Sequence, residues 1–388
     1  MDVCDPRQVG FDPRRLARLS EAIERDIERE QYDGCELVVG RHGKVAYHAR
    51  FGYAERATRR AVGENQVFVS MSVGKQFTVA MVLNRIERGD FAFTTRVADL
   101  IPEFGARGKA NVTVAHLLTH TGGVPSLLPA MLAPEQTGNL EAVVAATCAS
   151  LLESLPGTRV TYSIVVGHAV LAELVRRADG GKRPYRQIIA EDLFQPLGMQ
   201  HTSLGVRPDL AERLAPVVAR DRRPGILDPV FLEGMGAILT EETEIPAGGY
   251  VSITPDLYRF AEMLRRGGEL DGVRILSPAM VEAVQINRTG DLPNSLFEYT
   301  QAFRGWDPFP ANLGLGFFLR GGGIHPTPFG TLASPRTFGG FGAGSTVFWI
   351  DPVRDVTYAF MSSGLMEESH SMERHQRLSD IVHAAVVE

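Results

Sequence analysis

Apolar residues recur at helical spacing over residues 12–31, where Leu16, Leu19, Ile23 and Ile27 stand among charges, and this predicts an amphipathic surface helix. The period then shortens. Cys35-Glu-Leu-Val-Val-Gly-Arg41 and Lys44-Val-Ala-Tyr-His-Ala-Arg-Phe51 are β-prone runs joined at His42-Gly43, the pattern of a hairpin. A helical period returns over residues 71–86 and stops at Gly89-Asp90. From there to about residue 266 helices dominate, with helices expected over 114–118, 165–177 and 256–266. Residues 287–301 carry little apolar periodicity and predict no element. Strands return at 315–319, 346–352 and 356–361, and a helix over 372–386 closes the chain. Strands at both ends around a helical middle predict an α+β fold: one sheet flanked by helices, built from both chain ends, with a mainly helical lobe inserted between them.

The 388 residues are 44% hydrophobic and 22% charged, a globular balance that supports a large core. No Pro/Ser-rich linker, repeat or low-complexity tract divides them. One body spanning 1–388 is therefore expected, with a sheet lobe at about 1–95 and 310–388 and a helical, loop-rich lobe at about 96–309. The formal charge of −6, with no basic patch beside aromatics, argues against a nucleic-acid partner. No run approaches the roughly 20 apolar residues of a membrane span, and the opening MDVCDPRQVGFDPRR has no basic-then-apolar leader, so a cytoplasmic location is expected. Cys4, Cys35 and Cys148 are far apart and have no His or Cys at ligand spacing, which argues against a disulfide framework and a zinc site. His370 and His375 lack a third ligand. Neither metal nor cofactor is expected.

The sharpest chemical feature is Ser72-Val-Gly-Lys75. Positions three apart share a helix face, so the hydroxyl and the ammonium can meet. The stripe continues through Val79, Val82 and Ile86, which turns Lys75 inward. Lysine occurs only at positions 44, 75, 109 and 182, against arginine elsewhere. A buried lysine can shift its pKa toward neutrality and move a proton, whereas a guanidinium stays charged. A serine with a proton acceptor beside it at a helix start is an activated nucleophile. The bland alternative is a Ser N-cap beside a snorkelling lysine.

Further motifs follow in order: Val114-Ala-His-Leu-Leu-Thr-His-Thr-Gly-Gly123, Pro156-Gly-Thr-Arg-Val-Thr-Tyr162-Ser163, Gly248-Gly-Tyr-Val-Ser252 and Gly344-Ser-Thr-Val-Phe-Trp-Ile-Asp-Pro352. With Phe68-Val-Ser-Met-Ser72-Val-Gly-Lys75 they span nearly the whole chain. This order resembles the serine β-lactamase and penicillin-binding-protein superfamily, in its class C and family VIII carboxylesterase branch. The Ser-Asp-Asn and Lys-Thr-Gly partners of class A enzymes are missing. The resemblance implies a β-lactamase/transpeptidase-like fold, an antiparallel sheet flanked by helices beside a helical lobe, with the active site between. It also implies Ser72 as the acylated nucleophile, Lys75 as its proton partner, and Tyr162 as a general base whose phenolate is held down in pKa by the lysine ammonium.

Two positions depart from that pattern. Ile164 stands where the Tyr-x-Asn motif has Asn, which weakens β-lactam recognition. Gly340, in Phe338-Gly-Gly-Phe-Gly-Ala-Gly-Ser345, stands where relatives carry His, Lys or Trp, so the cation that holds a substrate carboxylate is lost. Ala343 is the expected second oxyanion donor beside the Ser72 N–H. Ile164, Gly340, Phe341, Gly342 and, from the side, His325 are candidate substrate contacts. His120, after a helix, is expected to fasten a loop. A phosphate loop at 340–344 and a nucleophile elbow at 70–74 both fail for want of the flanking strand and helix.

These features predict a serine hydrolase acting on a small-molecule ester or acyl substrate, a carboxylesterase first, and leave the oligomeric state open. An acyltransferase, a β-lactamase or D,D-peptidase-like amidohydrolase, and a catalytically reduced binding protein are the alternatives.

Overall fold

His42 and Gly43 both have positive φ, 53° and 75°, so the chain reverses in two residues with a twist that suits a hairpin. Strands β1 (Gly34–Arg41) and β2 (Lys44–Glu55) follow from it. The computed structural model describes residues 1–223 and 225–388. In chain order come β3 (Arg60–Ala61), β4 (Phe68–Val69), β5 (Ser203–Leu204), β6 (Tyr250–Ser252), a small hairpin of β7 (Glu269–Leu270) and β8 (Val273–Arg274), then β9 (Phe318–Leu319), β10 (Phe338–Gly342), β11 (Thr346–Asp351) and β12 (Val356–Ser363). The main sheet has seven strands in the order β3-β2-β1-β12-β11-β10-β9 and is antiparallel throughout. The first and last parts of the chain therefore meet at the β1–β12 pairing, with Val38 opposite Ala359.

Every residue of β1 and β12 is buried because helices cover both faces of the sheet. On one face Leu37, Val39, Trp349, Tyr358 and Phe360 pack against Leu19 and Ile23 of the helix Arg18–Glu28 and against Leu378 and Val382 of the C-terminal helix Glu368–Ala385. On the other, Val38, Phe348, Ile350 and Ala359 pack with Phe260 of the helix Thr254–Arg265 and with Phe77 of the central helix Gly74–Glu87. The alternation between faces is the two-residue period of a strand. The inserted middle holds the helices Val114–Leu118, Leu140–Ala149, Val166–Ala178 and Pro229–Ala237. A second sheet, β4-β6-β5, lies in the order that sets residue 68 opposite residue 252.

Some expected boundaries move. The first helix splits at Ala17 into Pro13–Leu16 and Arg18–Glu28. The strand expected over 315–319 shrinks to β9, because Gly316 turns the backbone at φ 78°. Residues 287–301, left without an element, include the start of a helix over Glu298–Arg304. The last helix begins four residues earlier than its apolar period, at Glu368, capped by the Glu367 carboxylate, which accepts from Ser369 N at 3.1 Å and His370 N at 3.3 Å. Among the described residues no helix is long and apolar enough to cross a membrane.

Candidate active site

The segment before Ser72 is tied on both sides. Phe68 and Val69 pair with β6, Ser70 N donates to the Tyr250 carbonyl at 2.8 Å, and Thr346 Oγ1 donates to the Ser70 carbonyl at 2.7 Å. Met71 then adopts φ 50°, a left-handed conformation that costs a non-glycine residue about 1–2 kcal/mol. Such strain persists only where neighbours enforce it, and it clusters at functional sites. Ser72 follows at once, half-buried, in the short turn Met71–Val73 that leads into the central helix. Gly74 lets this helix start against Tyr250: a Cβ there would lie 2.3 Å from the tyrosine ring.

Lys75 is buried one turn on. Its Nζ donates to the Ile164 carbonyl at 2.8 Å, to the Ala247 carbonyl at 3.1 Å and to Ser72 Oγ at 3.1 Å. Burial pulls its pKa down to about 7, with no carboxylate to oppose the shift. In the neutral amine two N–H bonds suffice for the two carbonyls. The lone pair then faces Ser72 Oγ, which is the geometry of a base.

Tyr162 packs beside this pair, with Lys75 Nζ 5.1 Å from its ring centroid. A hydrogen bond with Ser72 favours its ionisation, but burial outweighs this and pushes the phenol up to about 12. Burial thus works against the expected phenolate, and it is Lys75 that burial draws toward neutrality. His120 holds the tyrosine segment: its Nδ1 accepts from Ser163 N at 3.1 Å, its carbonyl accepts from Thr161 N at 2.8 Å, and its ring lies 4.5 Å from that of Tyr162. Burial, reinforced by the Lys75 charge, lowers His120 to about 3, so it stays neutral. It fastens the loop, as the sequence predicts.

Two cavities meet at Ser72 and share Ile164, Leu227 and Ala343 in their walls. One is walled by Phe231, Leu232 and Met235 of the helix Pro229–Ala237 and by Ile245, Ala247, Gly248 and Gly249. The other is walled by Tyr162, Leu296, Phe341 and the first turns of the C-terminal helix, Glu368 to His375. The structure thus gathers Ser72, Lys75, Tyr162, Ile164, Phe341, Gly342 and Ala343. It separates two other candidates. Gly340 faces away from the cavities: a Cβ there would lie 2.0 Å from Gln76 Oε1 and 3.0 Å from the Phe348 ring, beneath β10. His325 is absent from both walls; it stacks on Phe309 at 5.2 Å between ring centroids, and its Nδ1 meets the Pro326 carbonyl at 3.1 Å.

Sequence reasoning missed Leu227, the wall helix 229–237, Glu368 and His375. Pro229–Ala237 contains two glycines and apolar residues on all sides, so no periodicity marks which face it turns to the site. Glu368 lies in the first turn, ahead of the expected helix over 372–386, and His375 lies within that helix with no local signal that it faces a cavity. Among the described residues no group of three His, Cys, Asp or Glu is placed to hold a metal ion.

The family model described as Beta-lactamase matches residues 19–381. The esterase/beta-lactamase LipL of Mycobacterium tuberculosis is 26% identical over 386 residues, covering 93% of this chain and 84% of that one. A penicillin-binding protein homologue from Caulobacter crescentus superposes with a TM-score of 0.80 at 24% identity over 99% of both chains. A family VIII carboxylesterase does so at 0.74 and 19% identity, over 98% of both.

Proposed function

We infer from this chain, which belongs to the beta-lactamase family and is a serine hydrolase, a carboxylesterase that works through an acyl-enzyme on Ser72. One observation carries the choice of ester over β-lactam or D-alanyl peptide: among the described residues, no lysine or arginine walls either cavity at Ser72. The one wall histidine, His375, is held neutral by burial and by the Arg374 charge. A substrate carboxylate would find no charged donor there, and a charge-assisted bond of that kind is worth about 1.5–3 kcal/mol. The side chain of Ile164 likewise offers no partner to a substrate amide. The name of the M. tuberculosis relative, esterase/beta-lactamase, supports the same class.

In the proposed reaction Ser72 Oγ attacks the ester carbonyl carbon as its proton passes to neutral Lys75. The backbone N–H groups of Ser72 and Ala343 hold the oxyanion, the term that usually contributes most. The carbon–oxygen bond to the alcohol then breaks, and the proton returns to the departing oxygen through the Tyr162 hydroxyl. Water repeats the sequence on the acyl-enzyme. Hydrolysis of short p-nitrophenyl esters by wild type and Ser72→Ala tests this reading. The expected result is ester turnover that disappears in a folded Ser72→Ala protein, with penicillins and cephalosporins turned over far more slowly than esters. Wild-type rates in the alanine variant, or cephalosporins outpacing esters, overturn it.

A further inference from the structure

We propose that the two cavities divide the ester between them: the one walled by Phe231, Leu232 and Met235 takes the acyl chain, and the one walled by Tyr162, Phe341 and Glu368 takes an alcohol that is neutral or cationic but not anionic. This rests on the reading of Ser72 as the acylated serine. Both cavities open on Ser72 and Ala343, so either has access to a carbonyl carbon bound at Oγ. They differ in Tyr162, which lines only the second. When the bond between the carbonyl carbon and the alcohol oxygen breaks, its electron pair stays on that oxygen, which takes the proton removed from Ser72. The oxygen must therefore depart beside Tyr162, and its substituent lies in the second cavity. The acyl chain is left with the first.

The chemistry of the walls agrees with that division. Apart from Ser72, the first cavity presents apolar side chains and glycines only, which suits an alkyl or aryl acyl chain and gains about fourfold in affinity per buried methylene. Among the described residues, three ionisable side chains line the second: Tyr162, His375 and Glu368. Tyr162 and His375 are neutral. Glu368 accepts from Ile226 N and Leu227 N, both at 3.2 Å, and these donors favour its carboxylate. Burial raises it to about 7, so it is ionised at pH 8.5. The Arg374 guanidinium lies behind this wall, over the Tyr32 and Phe360 rings, donating to the Gly344 carbonyl and Ser371 Oγ at 3.2 Å and to His375 Nε2 at 3.1 Å. Inside the cavity the charge is negative.

The test uses matched butanoyl esters at pH 8.5, with alcohol parts methyl 4-hydroxybenzoate (neutral), 4-hydroxybenzoate (anionic) and 3-hydroxyphenyltrimethylammonium (cationic), each rate divided by its hydroxide-catalysed rate. We expect kcat/KM for the anionic ester to fall at least tenfold below the neutral one, the cationic ester to equal or exceed it, and Glu368→Gln to bring the three within threefold. Leu232→Trp, or Met235→Trp at a more exposed place on the same wall, should cut hexanoyl against acetyl esters of one alcohol at least tenfold and leave the alcohol ranking unchanged. Met372→Trp should disturb the alcohol ranking and spare the acyl ranking. Equal rates for anionic and neutral esters overturn the charge assignment, and crossed effects of the tryptophan variants overturn the division. Intact-protein mass separates these failures from that of the parent reading: a Ser72 that acylates while the rankings fail removes only this inference, and a Ser72 that never acylates removes both.

Discussion

Lys75 carries the most informative chemistry of any single residue in this chain. Its three hydrogen-bond partners are a hydroxyl and two carbonyls, all acceptors without charge, so nothing compensates the cost of burying an ammonium and its pKa falls to about 7. In the proposed reaction the neutral amine is the active form, so acylation should rise with pH through about 7 and level off above it. A flat profile from pH 5.5 to 8.5 in pre-steady-state acylation would contradict this. Lys75→Arg, which keeps a charge but cannot release its proton, should lose about 10²–10⁴ of the acylation rate, the range for removing a general base. Tyr162 makes a different prediction because in the proposed reaction it returns a proton and does not take one. Tyr162→Phe should slow acylation by alkyl esters much more than by p-nitrophenyl esters, whose phenolate leaves without help. Equal losses for both ester types, read from the acylation burst, would return the base role to Tyr162.

At the scale of elements, the features legible in the sequence are those set by local spacing. Ser72 and Lys75 meet because three residues make nearly one helical turn, and the hairpin forms because His42-Gly43 can take positive φ. Features decided by what packs across from an element were not legible. The left-handed Met71 lies against Gly248 and Gly342, distant in sequence, and nothing in Met-Ser-Val announces it. Gly340 illustrates strand parity: the motif alignment finds its position, but alternation along β10 turns it toward Gln76 and leaves Phe341 on the cavity side. A side chain added at 340 therefore enters the packing between β10 and the central helix. Gly340→Ala should cost about 1–3 kcal/mol, as overpacking does, and lose most of that cost in a Gln76→Ala background. Denaturant midpoints of the four proteins test this; additive effects would mean the two sites do not touch. By the same geometry Gly340→Lys should fail to raise cephalosporin turnover.

For the whole molecule, building the sheet from both chain ends makes the site depend on the complete fold: Ser72 comes from the first quarter of the chain, Tyr162 and Leu227 from the inserted lobe, and Ala343, Glu368 and His375 from the last. The buried histidines tie that fold to pH. His120, His168, His375 and His383 are all depressed below the ordinary value, chiefly by burial, with His120 at about 3 and His383 at about 4. Between those values and 6.5 the unfolded chain binds protons that the folded one does not, so stability falls as pH falls through 6.5. His120 and His383 each contribute a loss of about 2 kcal/mol by pH 5, against a total stability of roughly 5–15 kcal/mol; His168 and His375 act in the same direction. Glu368, raised to about 7, works in the opposite direction and offsets part of it. The melting temperature should therefore drop steeply between pH 7 and 5, and a constant value would mean that these side chains already bind protons in the fold. The covalent intermediate at Ser72 is read directly by peptide mapping in the mass spectrometer after the intact protein is mixed with a slowly released acyl ester. The predicted result is one acyl group on Ser72 and none on the Ser72→Ala protein; ester hydrolysis with an unmodified Ser72, or with the acyl group on another residue, would contradict it.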